Sequence, residues 1–187
     1  MYNEEKRSNR REKLKIAIIY TTKGGTTREC AELLSRELKG QDVTVADMSE
    51  APDLDMYDTV VIGFPIRAAK PAKAARKYIK ANTDALLKKR VAYYMCCGFI
   101  DCAEEYAEKA LPKELSERGV AVTCLGGSLD PTRFKGIDKM IVKAVRAEIL
   151  GGGENGDQRD DMTIPTILDE NIAQLASLLK SFCVSEK

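Results

Sequence analysis

The chain contains no histidine and no tryptophan among its 187 residues. Without imidazole, histidine-based acid–base chemistry and histidine metal ligation are excluded. No cysteine pair has zinc-site spacing. No stretch reaches the roughly 18 consecutive apolar residues that would cross a bilayer. Hydrophilic Met1 to Lys13 lacks the apolar core of about 7 to 15 residues that a secretory signal requires, and is expected to be a disordered tail. Six cysteines in a chain without such a signal are expected as free thiols in the cytoplasm rather than as a disulfide framework. The net charge of +1 gives no global attraction to nucleic acid.

Charge is instead clustered locally. Residues 41 to 58 hold six acids and no base, and residues 66 to 90 hold nine bases against Asp84 alone. The most informative stretch precedes both. Ile16-Ala17-Ile18-Ile19-Tyr20 is a β-branched apolar run, as expected of a strand covered on both faces. It runs into Thr22-Lys23-Gly24-Gly25-Thr26-Thr27, where two glycines permit a sharp turn and the threonines offer hydroxyls. A helix from Thr26 to Lys39 would aim its unpaired N–H groups at the same point, so a phosphate ligand is expected. A well-capped helix at a tight turn is the plain alternative.

Three common phosphate sites do not fit. Lys23 precedes the glycines, whereas a nucleoside-triphosphate loop places its lysine after them. The Gly-x-Gly-x-x-Gly spacing of dinucleotide folds is absent. The strand ends at Tyr20-Thr21 and Gly63-Phe64 lack the carboxylates of a metal-dependent phospho-receiver. A hydroxyl-and-glycine cradle suits a monophosphate such as the tail of FMN.

Strand-like runs recur at 14–20, 42–47, 59–63, 91–96 and 120–126, separated mostly by helical patterns, including 101–117 and 169–182. Alternation of this kind predicts one α/β domain over residues 14–187, a doubly wound five-stranded parallel sheet with helices on both faces. Its ligand should lie beyond the carboxyl ends of the strands, where loops 21–27, 64–70 and 96–101 converge.

The loop Thr22 to Thr27 resembles the flavodoxin FMN-phosphate motif Thr-x-Thr-Gly-x-Thr, with Gly24 at the middle threonine. Tyr57-Asp58, Gly63-Phe64-Pro65-Ile66-Arg67, Leu125-Gly126-Gly127-Ser128-Leu129 and Gly152-Gly153-Glu154 with Asp157-x-Arg159 are similar to the menaquinone-dependent protoporphyrinogen oxidase branch of flavodoxin-like proteins. This resemblance implies a flavodoxin-like fold, with its five parallel strands in the order 2-1-3-4-5, and FMN as cofactor. Its phosphate would be held by Thr22, Lys23, Gly24, Gly25, Thr26 and Thr27. Its ring would lie between Phe64, Pro65, Ile66, Arg67 and Ala68 on one side and Cys97, Gly98 and Phe99 on the other.

With no tryptophan, Phe64 and Phe99 are the expected aromatic contacts to that ring, or else fill the edge of the core. Arg67 is the expected catalytic residue, because a guanidinium stays protonated and can stabilise negative charge on reduced flavin. Arg67, Lys70, Lys73 and Arg133 would attract carboxylates such as porphyrin propionates. The segment Phe64 to Ala69 contains no glycine, so a backbone flip there is expected to be costly and one-electron reduced flavin to accumulate little. Cys96, Cys97 and Cys102 are expected to be packing residues near the ligand, with a redox role as the alternative.

Residues 128–165 form a long insertion with a helix near 135–149. Ile137, Met140, Ile141, Ala144 and Val145 are either packed on the sheet or, with Lys139, Lys143 and Arg146, laid on an anionic membrane surface. The expected function is an FMN-dependent oxidoreductase passing reducing equivalents from a substrate to a quinone or other acceptor. The alternatives are an electron carrier without its own substrate and a binding module without cofactor.

Overall fold

The computed structural model describes residues 13–67, 69–97, 103–118, 121–149 and 166–182. The expected tail, except for Lys13, lies outside them, as do Ala68, Gly98, Phe99, Cys102 and the glycine-rich run 151–157. Six strands are present: β1 (Lys15–Tyr20), β2 (Asp42–Asp47), β3 (Thr59–Arg67), β4 (Lys70–Pro71), β5 (Arg90–Cys96) and β6 (Ala121–Cys124). The helices are α1 (Thr26–Glu37), α2 (Lys73–Ala81), α3 (Thr83–Leu86), α4 (Ala103–Ala110), α5 (Lys113–Ser116), α6 (Gly136–Ile149) and α7 (Asp169–Ser181).

Five strands pair in parallel in the order β2-β1-β3-β5-β6, which is the predicted 2-1-3-4-5 order of the parallel strands. The short β4 adds an antiparallel hairpin to β3. This corrects the expected loop 64–70, since β3 runs on to Arg67 and turns back at Lys70. Ala69 sits in that turn with a φ of 55°, a left-handed backbone that non-glycine residues rarely adopt.

Alternation along the strands sorts the core into two faces. Ala17, Ile19, Val60, Ile62, Phe64, Tyr93 and Met95 point toward α2 to α5. Ile16, Ile18, Val61, Ala92, Tyr94 and Cys96 point toward α1 and α7, meeting Cys30, Leu34, Leu38, Ile172, Leu175 and Leu179. Each large aliphatic side chain so buried contributes about 1.5–3 kcal/mol, enough to fix strand register and helix placement. Pro112, unable to continue a helix, separates α4 from α5.

The register places the chemistry. Tyr20 pairs with Gly63, Pro65 with Cys96 and Met95 with Cys124, so the carboxyl ends of β1, β3, β5 and β6 open on one edge. There α6 lies over them, and of the two alternatives for its apolar stripe, packing on the sheet is not seen for Ile137 and Met140. Ile137 and Met140 are 77% and 70% exposed, and Val142 is the buried residue among those described in the helix. No helix among the described residues is long and apolar enough to cross a membrane.

Candidate functional site

The turn after β1 is built for an anion. Gly25 has a φ of 86° and stands at the N-terminus of α1, where no side chain caps the helix. Its N–H donates to Thr22 Oγ1 at 3.0 Å, which tightens the turn and leaves the Thr22 hydroxyl hydrogen available. The bond from Glu29 N–H to Gly25 O at 3.0 Å opens the helix and leaves the preceding amides without intrahelical partners, as at any helix start. Thr27 is only 1% exposed; its hydroxyl has no oxygen or nitrogen partner among the described residues and meets the Cys96 thiol.

This turn is held from below. The Tyr94 ring, fully buried, passes so close to Gly63 that a Cβ there would stand 2.0 Å from its Cζ. The Tyr94 hydroxyl then donates to the carbonyl of Thr27 at 2.9 Å. Gly63 therefore exists to admit Tyr94, and Tyr94 to support the first turn of α1. Burial pushes the Tyr94 phenol well above its ordinary pKa, so it remains a donor.

A cavity of about 430 Å³ opens beside the turn. It is walled by Thr22 to Gly24, Thr26 and Thr27, by Pro65, Ile66, Arg67 and Ala69 after the body of β3, and by Cys96 and Cys97. Leu129, Phe134, Ile141, Val142 and Val145 close it from the insertion. Its size lies within the roughly 300–1,000 Å³ of small-molecule and cofactor sites, and its lining is mostly apolar with polar groups at one end. A flavin has that division, an apolar ring and an anionic tail, so the residues present fit FMN.

The expected ring contacts need one correction. Phe64 is fully buried in the core facing α2 to α5 and does not line the cavity, because the alternation of β3 turns it to the opposite face. Phe99 and Gly98 lie outside the described residues. The aromatics that do line it are Tyr106 of α4 and Phe134 of the insertion, neither anticipated from the sequence. Phe134 could have been suspected from Gly24, whose missing side chain leaves room for the ring: a Cβ there would be 2.3 Å from Phe134 Cζ.

Arg67 reaches the cavity, but Asp138 of α6 accepts its guanidinium, which also lies 5.7 Å from the Phe134 ring centre. The other oxygen of Asp138 pairs with Lys23 at 2.5 Å. Hydrogen bonds from Lys23 and then Arg67 hold the Asp138 carboxyl below its ordinary range. Arg133 faces away from the role of a free substrate cation, since it pairs with Glu29 at 2.6 Å and Asp130 at 3.7 Å. Lys70 and Lys73 remain exposed on the β4–α2 side.

Cys30, Cys96, Cys97 and Cys124 are buried. Cys96 and Cys30 are in sulfur contact at 3.6 Å, and that contact together with burial pushes the Cys96 thiol well above its ordinary pKa, the condition of a packing cysteine. No group of metal-ligating side chains occurs among the described residues.

Comparison with known proteins agrees with this architecture. Protoporphyrinogen IX dehydrogenase [quinone] of Escherichia coli strain K12 is 27% identical over 161 residues, covering 79% of this chain and 86% of that protein. The flavodoxin of Trichodesmium erythraeum is 28% identical over 174 residues, covering 89% and 96%. Among solved structures, Fusobacterium nucleatum flavodoxin bound to flavin mononucleotide is similar at a TM-score of 0.49 and 14% identity, covering 90% of this chain and 98% of that one. The flavodoxin domain family matches residues 17–155, from the first strand through α6, and the chain belongs to that family.

Proposed function

We propose that this flavodoxin-family chain is an FMN-dependent oxidoreductase, taking reducing equivalents from an organic substrate and passing them to a quinone or another acceptor. One observation carries the reading: an apolar cavity of about 430 Å³ bordered by the turn Thr22 to Thr27 and the uncapped start of α1. Bound FMN would supply the electron-transfer chemistry, while the protein supplies position and electrostatics. Thr22, Gly24, Gly25, Thr26 and Thr27 would hold the phosphate through amides and hydroxyls, with Lys23 as a nearby cation. Pro65, Ile66, Cys97, Tyr106 and Phe134 would flank the ring. Arg67 would stabilise negative charge near the ring, a role that the permanent guanidinium charge suits.

Similarity to protoporphyrinogen IX dehydrogenase [quinone] supports a porphyrinogen or a comparable reduced ring as substrate and a quinone as acceptor. A quinone acceptor would place the chain in the cytoplasm at the inner face of a membrane. Exposed Ile137 and Met140 beside Lys139 and Lys143 on α6, with Lys135 just before the helix, support such a contact. Co-sedimentation with anionic liposomes at physiological salt tests it.

The first experiment is the visible spectrum of the purified protein and its titration with FMN. Flavin absorption and fluorescence quenching on binding are expected. A colourless protein that takes up no FMN would remove the reading in favour of a cofactor-free binding module. The second reading, a carrier without its own substrate, draws on the match to a flavodoxin across 96% of that protein's length. Anaerobic turnover with protoporphyrinogen and a menaquinone analogue separates the two, since a carrier loaded with FMN would not turn over.

A further inference from the structure

The geometry points to Asp138 as a built-in competing anion: it latches α6 over the cavity by holding Lys23 and Arg67, and a phosphate-bearing ligand releases the latch by taking Lys23 away. Both cations stand at the mouth of the anion turn, Lys23 within the turn itself and Arg67 at the end of β3. Each grips a different oxygen of the one carboxylate. An incoming phosphate would meet the amides of α1, the Thr27 hydroxyl and Lys23, with Asp138 as the like charge opposing it. Two anions then compete for one lysine.

The rest of α6 gives the latch something to move. Phe134, just before the helix, rests on Gly24, while Ile137, Met140 and Ile141 stay exposed. At its far end, Val142 is buried and Arg146 reaches the carbonyl of Leu129 at 3.5 Å. The front of the helix is therefore attached chiefly through charge, which is exchanged more readily than packed apolar surface. Release would also free Arg67 for the cavity.

This inference rests on the flavin reading for its ligand, but its test separates the two. Backbone hydrogen exchange of the full chain is followed by mass spectrometry for wild type, D138N and K23Q, each alone, with FMN and with inorganic phosphate. D138N and K23Q alone should both speed exchange at the start of α6, and FMN should do the same to wild type. Affinity for FMN should shift in opposite directions: about threefold to tenfold tighter in D138N, weaker in K23Q. A merely structural aspartate would not produce that opposition. If D138N binds FMN more weakly and FMN slows exchange in wild-type α6, Asp138 is a prop of the cavity wall and the latch is wrong. If FMN binds none of the three, the flavin reading fails. Faster exchange in D138N alone and in wild type with inorganic phosphate would still uphold the latch, and unchanged exchange in either would overturn it.

Discussion

Beneath the anion turn, the Tyr94 ring is fully buried, fitted against Gly63 and hydrogen-bonded to Thr27, whereas above it the segment 131–146 is held by surface charges, the Phe134 ring against Gly24 and one buried valine. The floor is a packed interior, intolerant of an added methylene. The roof is held by contacts of the kind that solvent and other ions replace. A cofactor site needs both, because the floor fixes where the anion donors point and the roof decides what may enter.

The sharpest break in that contrast is Gly63→Ala. A Cβ placed 2.0 Å from Tyr94 Cζ forces the tyrosine aside and costs it the bond to Thr27. The expected loss is about 3 kcal/mol of stability, read from denaturant melts. Adding Tyr94→Leu to it should recover part of the loss by removing the colliding ring. Loss near zero in the single variant would mean that the floor yields, and the contrast with the roof would vanish.

Thr27→Val separates binding from folding at one atom. Its hydroxyl contributes no ordinary hydrogen bond within the protein, so a methyl of the same shape should leave stability within about 0.5 kcal/mol. Affinity for FMN should nevertheless fall about tenfold or more, the value of a hydrogen bond to a charged group. Unchanged affinity in fluorescence titration would show that the phosphate does not use this side chain.

What the sequence made legible divides along the same line. Apolar runs, helical periodicity and glycine placement identified the five parallel strands and the turn at 22–27, because these depend on local chain physics, while the strand order came with the family resemblance. Phe64 was left open between ring contact and core because the extension of β3 past Gly63 was missed, and with it the alternation that turns Phe64 into the core. Tyr94 was invisible as a prop, since it reads as one more buried strand residue until Gly63 is set beside it. Asp138 and Phe134 were missed for a different reason. Their partners Lys23, Arg67 and Gly24 are distant in the chain, and no periodic pattern records which surface charges will meet. The insertion and its helix were legible from length and periodicity, while the side of α6 that faces the cavity followed only from tertiary placement.

The roof is also open to titration. Asp138 has a folded pKa below its ordinary value of 3.8, because Lys23 and Arg67 favour the charged form. The sign follows from linkage: a depressed carboxyl contributes while pH stays above its unfolded pKa, and the contribution is lost as pH falls through the folded one. The attachment of α6 should therefore persist through neutral and mildly acidic pH and loosen below about pH 3.8. Carbon-detected NMR of the Asp138 carboxyl should show a midpoint under 3.8, with amide shifts at the start of α6 following it. A midpoint at or above that value would mean that the two cations do not grip the carboxylate.

The smallest effect is expected at Ala69, where floor and roof meet at the β3–β4 hairpin. Alanine at a φ of 55° carries roughly 1 kcal/mol of backbone strain that glycine would not. Glycine also raises the entropy of the unfolded chain, so the net stabilisation of Ala69→Gly should stay below about 1 kcal/mol. Its informative consequence is kinetic freedom beside the cavity, since Ala69 lines it. With alanine, the backbone is committed to one strained arrangement, and photoreduction of the FMN-loaded protein should show little long-lived one-electron reduced flavin. With glycine, a rearranged peptide becomes accessible, and that species should accumulate more. Abundant accumulation in the wild type would show that the hairpin already rearranges despite its alanine, which would move this turn from the rigid floor to the mobile roof.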